Sequence, residues 1–110
     1  MILQENIALI APAVETRTEL LGNGIYITAP WVMSERRASD FIDGTISLHN
    51  SKSDRSYISG RITDVINIGQ VGSAKNRVAF VFERSKRSVN LETVRRRAPN
   101  LTETYEQVRY

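Results

Sequence analysis

Cysteine is absent from the 110-residue chain, and histidine occurs once. The first absence excludes a disulfide scaffold, thiolate zinc sites, iron–sulfur clusters and a cysteine nucleophile. The second excludes multi-histidine metal sites and leaves general-base catalysis thinly supplied. Aromatic residues make up 7% of the chain, with a single Trp, so a stacking platform for a flat ligand has few residues to be built from. Long hydrophobic runs are missing too. The best of them, Ile7 to Val14, is interrupted by Pro12 and is far too short to span a bilayer. The stretch Met1 to Asn6 carries acidic Glu5 and no basic residue, unlike a secretory signal. Asn100-Leu101-Thr102 fits the glycosylation sequon, but without such a signal it is read as a chance match. A cytoplasmic location with no membrane association is the expectation.

What is present describes a globular domain. Hydrophobic residues make up 41% and charged residues 25%, outside the disordered range. The length suits one domain over residues 1–110, burying roughly two-thirds of its unfolded surface. The net charge of +3 is unevenly distributed. From Arg77 to Arg97, seven basic residues (Arg77, Arg84, Lys86, Arg87, Arg95, Arg96, Arg97) face Glu83 and Glu92, a local +5 that leaves −2 for the rest of the chain. Such a basic third on a near-neutral body is expected of a polyanion-binding surface, or else of a solvated, solubilising face. Adjacent like charges such as Arg95-Arg96-Arg97 repel unless solvent or phosphate neutralises them.

The periodicities are mostly those of strands. Ile7 to Ile10 is apolar and β-branched-rich. Val14, Thr16, Thr18 and Leu20 alternate with Glu15, Arg17 and Glu19, the pattern of a half-buried strand. Gly22-Asn23-Gly24 supplies positive-φ residues for a tight turn into a strand from Ile25 to Thr28. Ser34 can N-cap a helix of about ten residues whose apolar stripe is Ala38, Phe41 and Ile42, with Gly44 as the left-handed C-cap. Thr45-Ile46-Ser47-Leu48-His49 alternates again, with Ile46 and Leu48 inward and His49 on the opposite face. A polar loop, Asn50 to Ser56, leads to a long strand from Tyr57 to Ile68. Its parity breaks at Val65, so a bulge or bend is expected near Gly60 or Asp64. Val78 to Phe82 is apolar at every position, as in a central strand covered on both faces. The tail after Pro99 reads as helical, with Leu101, Tyr105 and Val108 at i, i+4 and i+7. The expected fold is α+β: about five or six mostly antiparallel strands closed into a small barrel, with one short inserted helix and a C-terminal helix.

Two stretches carry a resemblance. Gly44-Thr45-Ile46-Ser47-Leu48-His49-Asn50-Ser51 resembles the strand "G-D-x-x-x-x-Y-H-S" of PUA-like domains, and Tyr57 to Val65 resembles their "I-x-G-x-x-x-V" strand. With the preceding helix they cover about half the chain, from Trp31 to Phe82, in the manner of the EVE and ASCH branches. The ASCH pattern "G-x-K-x-x-E-x-R" is not present. The resemblance implies a pseudobarrel that binds RNA or DNA and grips a modified or flipped base in a pocket beside the inserted helix. The matching residues are Trp31, His49, Asn50 and Ser51. Their chemistry suits a base: Trp31 for stacking, Asn50, His49 and Ser51 for its edges. Lys52 and Arg55 in the adjoining loop are placed to meet phosphates.

Each residue also has a plainer role: Trp31 in the core, His49 as a surface residue at a strand end, Asn50-Ser51 as a turn. Ser51 or Ser53 with His49 as base lacks fixed geometry for nucleophilic catalysis. Asp40, Asp43 and Asp64 match no metal loop, and Gly69-Gln70-Val71-Gly72 is no phosphate loop. No catalytic residue, metal or cofactor is therefore assigned. The first expectation is a nucleic-acid-binding module, with Lys86, Arg87 and Arg95 to Arg97 on the backbone. The alternative is a protein–protein interaction or regulatory domain of the phage or mobile-element type, using a strand edge to pair with a partner or as a homodimer. A small hydrolase or nuclease would need metal-dependent turnover through Asp64 or His49.

Overall fold

The computed structural model describes residues 5–11, 18–70, 76–86, 89–97 and 100–104. Along the chain run β1 (Asn6–Ile10), β2 (Glu19–Gly22), β3 (Ile25–Ile27), β4 (Trp31–Val32), α1 (Glu35–Ser39), β5 (Thr45–His49), β6 (Ser56–Gln70), β7 (Asn76–Arg84), α2 (Leu91–Arg97) and β8 (Leu101–Thr104). The strands form one mixed sheet in the order β2-β3-β7-β6-β5-β1-β8, with β4 also paired to β7. The pairs made by β1 with β5 and with β8 are parallel, and the others are antiparallel. The fold is thus α+β and mostly antiparallel, as expected, but among the described residues the sheet is open. Among those residues β2, β4 and β8 each pair with a single strand, and the expected barrel closure is not shown.

Local chemistry explains the elements. Asn23 and Gly24 form a two-residue turn with φ of 51° and 77°, the positive pair that a tight hairpin between β2 and β3 requires. Ser34 caps α1, its Oγ accepting from the Arg37 amide at 3.1 Å. The helix is shorter than expected, five residues continued by turns through Asp43. The left-handed residue that ends it is Asp43, φ 73°, rather than Gly44. Gly44 is needed for a different reason: a Cβ there would collide with the Glu5 carbonyl. The register of β6 on β7 shifts between Ile62 and Asp64 and again between Asn67 and Gly69, so the parity break at Val65 is a bulge.

The sheet's two faces bury different layers. Ile7, Leu9, Ile46, Leu48, Ile58, Ile62, Val78, Phe80 and Phe82 share the main core with Trp31, Ala38 and Phe41. Phe41, delivered by the turn after α1, meets Phe80 edge-on with centroids 6.3 Å apart, a geometry that adds about 0.5–1.5 kcal/mol to burial. On the opposite face, Ala8 and Ile10 pack under Leu91 of α2, with Leu101 beside them.

Downstream of β7 the structure departs from the expected C-terminal helix. The helix lies at Leu91–Arg97, and Leu101–Thr104, expected as part of a C-terminal helix, is a strand. Tyr105 and Val108, which completed that helical pattern, lie outside the described residues. The strand forms because β1 offers a free parallel edge, beginning where the Asn6 amide donates to the Asn100 carbonyl at 2.8 Å. A ladder satisfies the backbone of 101–104 along with the edge of β1, which a separate helix would leave unpaired.

Candidate nucleic-acid interface

A cleft of about 470 Å³ opens on the α2 face of the sheet. Its floor is Thr45, Ile46 and Ser47 of β5 with Ser59, Gly60 and Arg61 of β6. One wall is Thr93, Val94 and Arg97 of α2, and the remainder is Asn6, Glu83, Arg84, Ser85 and Val89. The segment linking β7 to α2 is stitched along β6. The Ser85 amide donates to the Ser59 carbonyl at 2.7 Å, and the Ser56 amide to the Val89 carbonyl at 2.6 Å. Asn90 then caps α2 by accepting from the Thr93 amide at 2.7 Å through Oδ1. These bonds hold the helix across the sheet while leaving the gap beside it open.

The cleft combines aliphatic walls with a polar floor and a cationic rim: three arginines, Arg61, Arg84 and Arg97, against Glu83. Arg61 is paired with Asp43 at 3.0 Å and Arg84 lies over the Tyr26 ring. Arg97 makes no ion pair with any described residue. Its two neighbours in the triplet differ. Arg95 grips Glu103 through two bonds of 2.8 and 2.7 Å, and Arg96 pairs with Glu92 at 2.7 Å. The triplet's repulsion is relieved partly inside the protein, and Arg97 is the member turned to the cleft.

Ser47 and Thr45 on the floor hold their hydroxyl protons in fixed directions. The His49 Nδ1 lies 3.0 Å from the Asp54 carbonyl, which only accepts, so Nδ1 carries the proton. The lone pair on Nε2 then accepts from the Ser47 hydroxyl at 2.9 Å. Thr45 donates both its amide, at 2.8 Å, and its hydroxyl, at 2.9 Å, to Asn6 Oδ1. His49 is 0% exposed. Burial pushes its imidazole below the ordinary value, against the opposing pull of the Asp54 carbonyl and the negative charges of Glu103 and Asp54.

The residues expected to form a base pocket beside α1 are not brought together. Trp31 is 1% exposed and belongs to the main core, so packing replaces the stacking role. His49 lies on the opposite face of the sheet, as the alternation predicted, but is buried there rather than exposed at a strand end. Asn50, Lys52 and Arg55 are exposed in the loop after β5, where Ser51 bonds to Ser53 and Asp54 at 3.1 and 3.0 Å. None of these six residues lines the cleft. Of the expected backbone contacts, Lys86 is exposed just beyond Ser85, Arg95 to Arg97 stand on α2, and Arg87 lies outside the described residues. Thr45, Ser47, Ser59, Arg61 and Thr93 were not expected at a site, while Arg84 belongs to the basic third read from the sequence. The signal for two of them was present, because the alternation that sends Ile46 and Leu48 inward also aligns Thr45, Ser47 and His49 on one polar face.

Among the described residues no group of three or more acidic or His side chains could hold a metal ion, and no helix is long and apolar enough to cross a membrane. No protein-family model matches the chain, and neither do curated proteins or solved structures.

Proposed function

We propose that the protein binds nucleic acid, with one nucleotide of a single strand entering the cleft between α2 and the β5–β6 floor. The observation that carries this reading is the cleft itself: about 470 Å³ of partly apolar space with three arginines at its mouth. Ligand pockets generally fall between about 300 and 1,000 Å³. Val89 and Val94 offer apolar surface to the faces of a base, and the floor hydroxyls address its edges. Arg61, Arg84, Lys86 and Arg97 meet the flanking phosphates. The cleft supports this reading independently of the resemblance to PUA-like domains, whose pocket lies beside the other helix. Four phosphate contacts on a single strand predict that log affinity falls against log salt with a slope of about −3. Fluorescence anisotropy with labelled single-stranded DNA and RNA measures it, and an affinity that hardly changes with salt, or no binding, removes the proposal.

A second reading rests on β2, which pairs only with β3 among the described residues and whose Leu20 and Leu21 are 57% and 56% exposed. An uncovered apolar edge strand is suited to pairing with another chain. Light scattering of the parent and of Leu21→Lys tests it: a dimer that the substitution dissociates supports this reading, and a monomer in both removes self-pairing.

A further inference from the structure

We infer that the β5 strip of the cleft floor is a hydrogen-bond acceptor surface that selects nucleobases carrying an exocyclic amine. The inference rests on the nucleic-acid reading and adds the base class to it. Its basis is the direction of two hydroxyl protons. A serine or threonine hydroxyl has one proton to donate and lone pairs to accept with. In Ser47 that proton is directed at His49 Nε2, because the Asp54 carbonyl fixes the imidazole as the Nδ1–H form. In Thr45 it is directed at Asn6 Oδ1, whose identity as the oxygen follows from the Thr45 amide that also donates to it. Both side chains line the cleft and stand on the same face of β5, two residues apart. What they have left for a guest is lone pairs.

A guest group facing this strip is therefore favoured if it donates. The exocyclic amines of adenine, cytosine and guanine do so. An exocyclic amine offers two N–H bonds, whereas the edge of uracil or thymine offers a single N–H flanked by two carbonyls. A base with no donor at that edge displaces water from Ser47 and Thr45 without replacing its bonds, which is the arrangement that discriminates most strongly between analogues.

The test compares short single strands of adenine nucleotides with the same strands carrying unsubstituted purine, where hydrogen replaces the amine. Competition against a labelled strand gives both dissociation constants. The expected result is binding tighter by roughly tenfold with the amine, a preference that shrinks to about twofold or less in Ser47→Ala. Ser47→Ala leaves the buried His49 Nε2 without its donor, so Thr45→Val, at an exposed position, provides a second variant, and it too should diminish the preference. Equal binding of the two strands to the parent protein, or a preference undiminished in both variants, overturns this inference and leaves the nucleic-acid reading standing. Failure of both strands to bind at any salt overturns the two together.

Discussion

Replacing Arg97 by Gln isolates the cationic rim from the rest of the basic segment. The three adjacent arginines carry equal formal charge, yet their surroundings differ: Arg95 is held by Glu103, Arg96 by Glu92, and Arg97 lines the cleft with no ion pair to a described residue. On a single strand each phosphate contact contributes about −0.7 to the slope of log affinity against log salt. With Arg61, Arg84, Lys86 and Arg97 engaged, raising salt from about 50 to about 200 mM weakens binding roughly 50-fold; with Arg97 removed the loss is roughly 20-fold. Arg96→Gln is the control. Arg96 does not line the cleft, and its pair with Glu92, both side chains well exposed at 76% and 72%, adds little to stability, so the slope should stay near the parent value. Anisotropy titrations of the three proteins at matched salt supply the comparison. Equal slopes for Arg96→Gln and Arg97→Gln would refute the reasoning, because binding would then follow net charge and not the geometry of the cleft.

Other expectations concern the scaffold that shapes the cleft. Gly44→Ala drives a Cβ into the Glu5 backbone and should cost about 2–3 kcal/mol or more, read as a fall in Tm of about 10 °C or more. Asn90→Ala removes the cap of α2, about 1 kcal/mol, and should speed amide exchange in that helix roughly fivefold while weakening binding. Because burial lowers the His49 value in the folded state, the unfolded chain binds the extra proton first as the medium becomes acidic. The stability this residue contributes is complete above the unfolded imidazole range near pH 6.5 and is lost as pH falls through the lowered folded value, by at most about 1.4 kcal/mol per pH unit. Urea unfolding of the parent and of His49→Gln across that window checks the sign: the parent's stability should decline more steeply toward acid.

The parts of this structure legible in the sequence are those decided locally. Asn23-Gly24 fixes a hairpin turn through backbone preference alone, and Ser34 announces a helix start. The alternation in Thr45 to His49 sorts side chains between two faces, and the lost parity at Val65 marks the bulge. Contacts between distant segments decided the rest. Leu91–Arg97 buries only Leu91 fully, too little to leave a hydrophobic stripe in the sequence beside three arginines. Leu101–Thr104 follows the free edge of β1 over its own spacing, a tertiary preference that overrides local pattern. The buried run of β1, covered on both faces, is the sequence trace of that parallel pairing. His49 was assigned to its face correctly, but nothing in the order of residues shows that α2 will roof that face and convert it into a cleft.

The most direct test of the central claim is a nitrogen-15 amide titration of the protein with a short single strand. Binding in the cleft predicts that the largest shifts arise at Thr45, Ser47, Ser59, Arg61, Thr93, Val94 and Arg97, with the loop from Asn50 to Arg55 little changed. Shifts concentrated at Asn50, Lys52 and Arg55, or none at saturating strand, would contradict it.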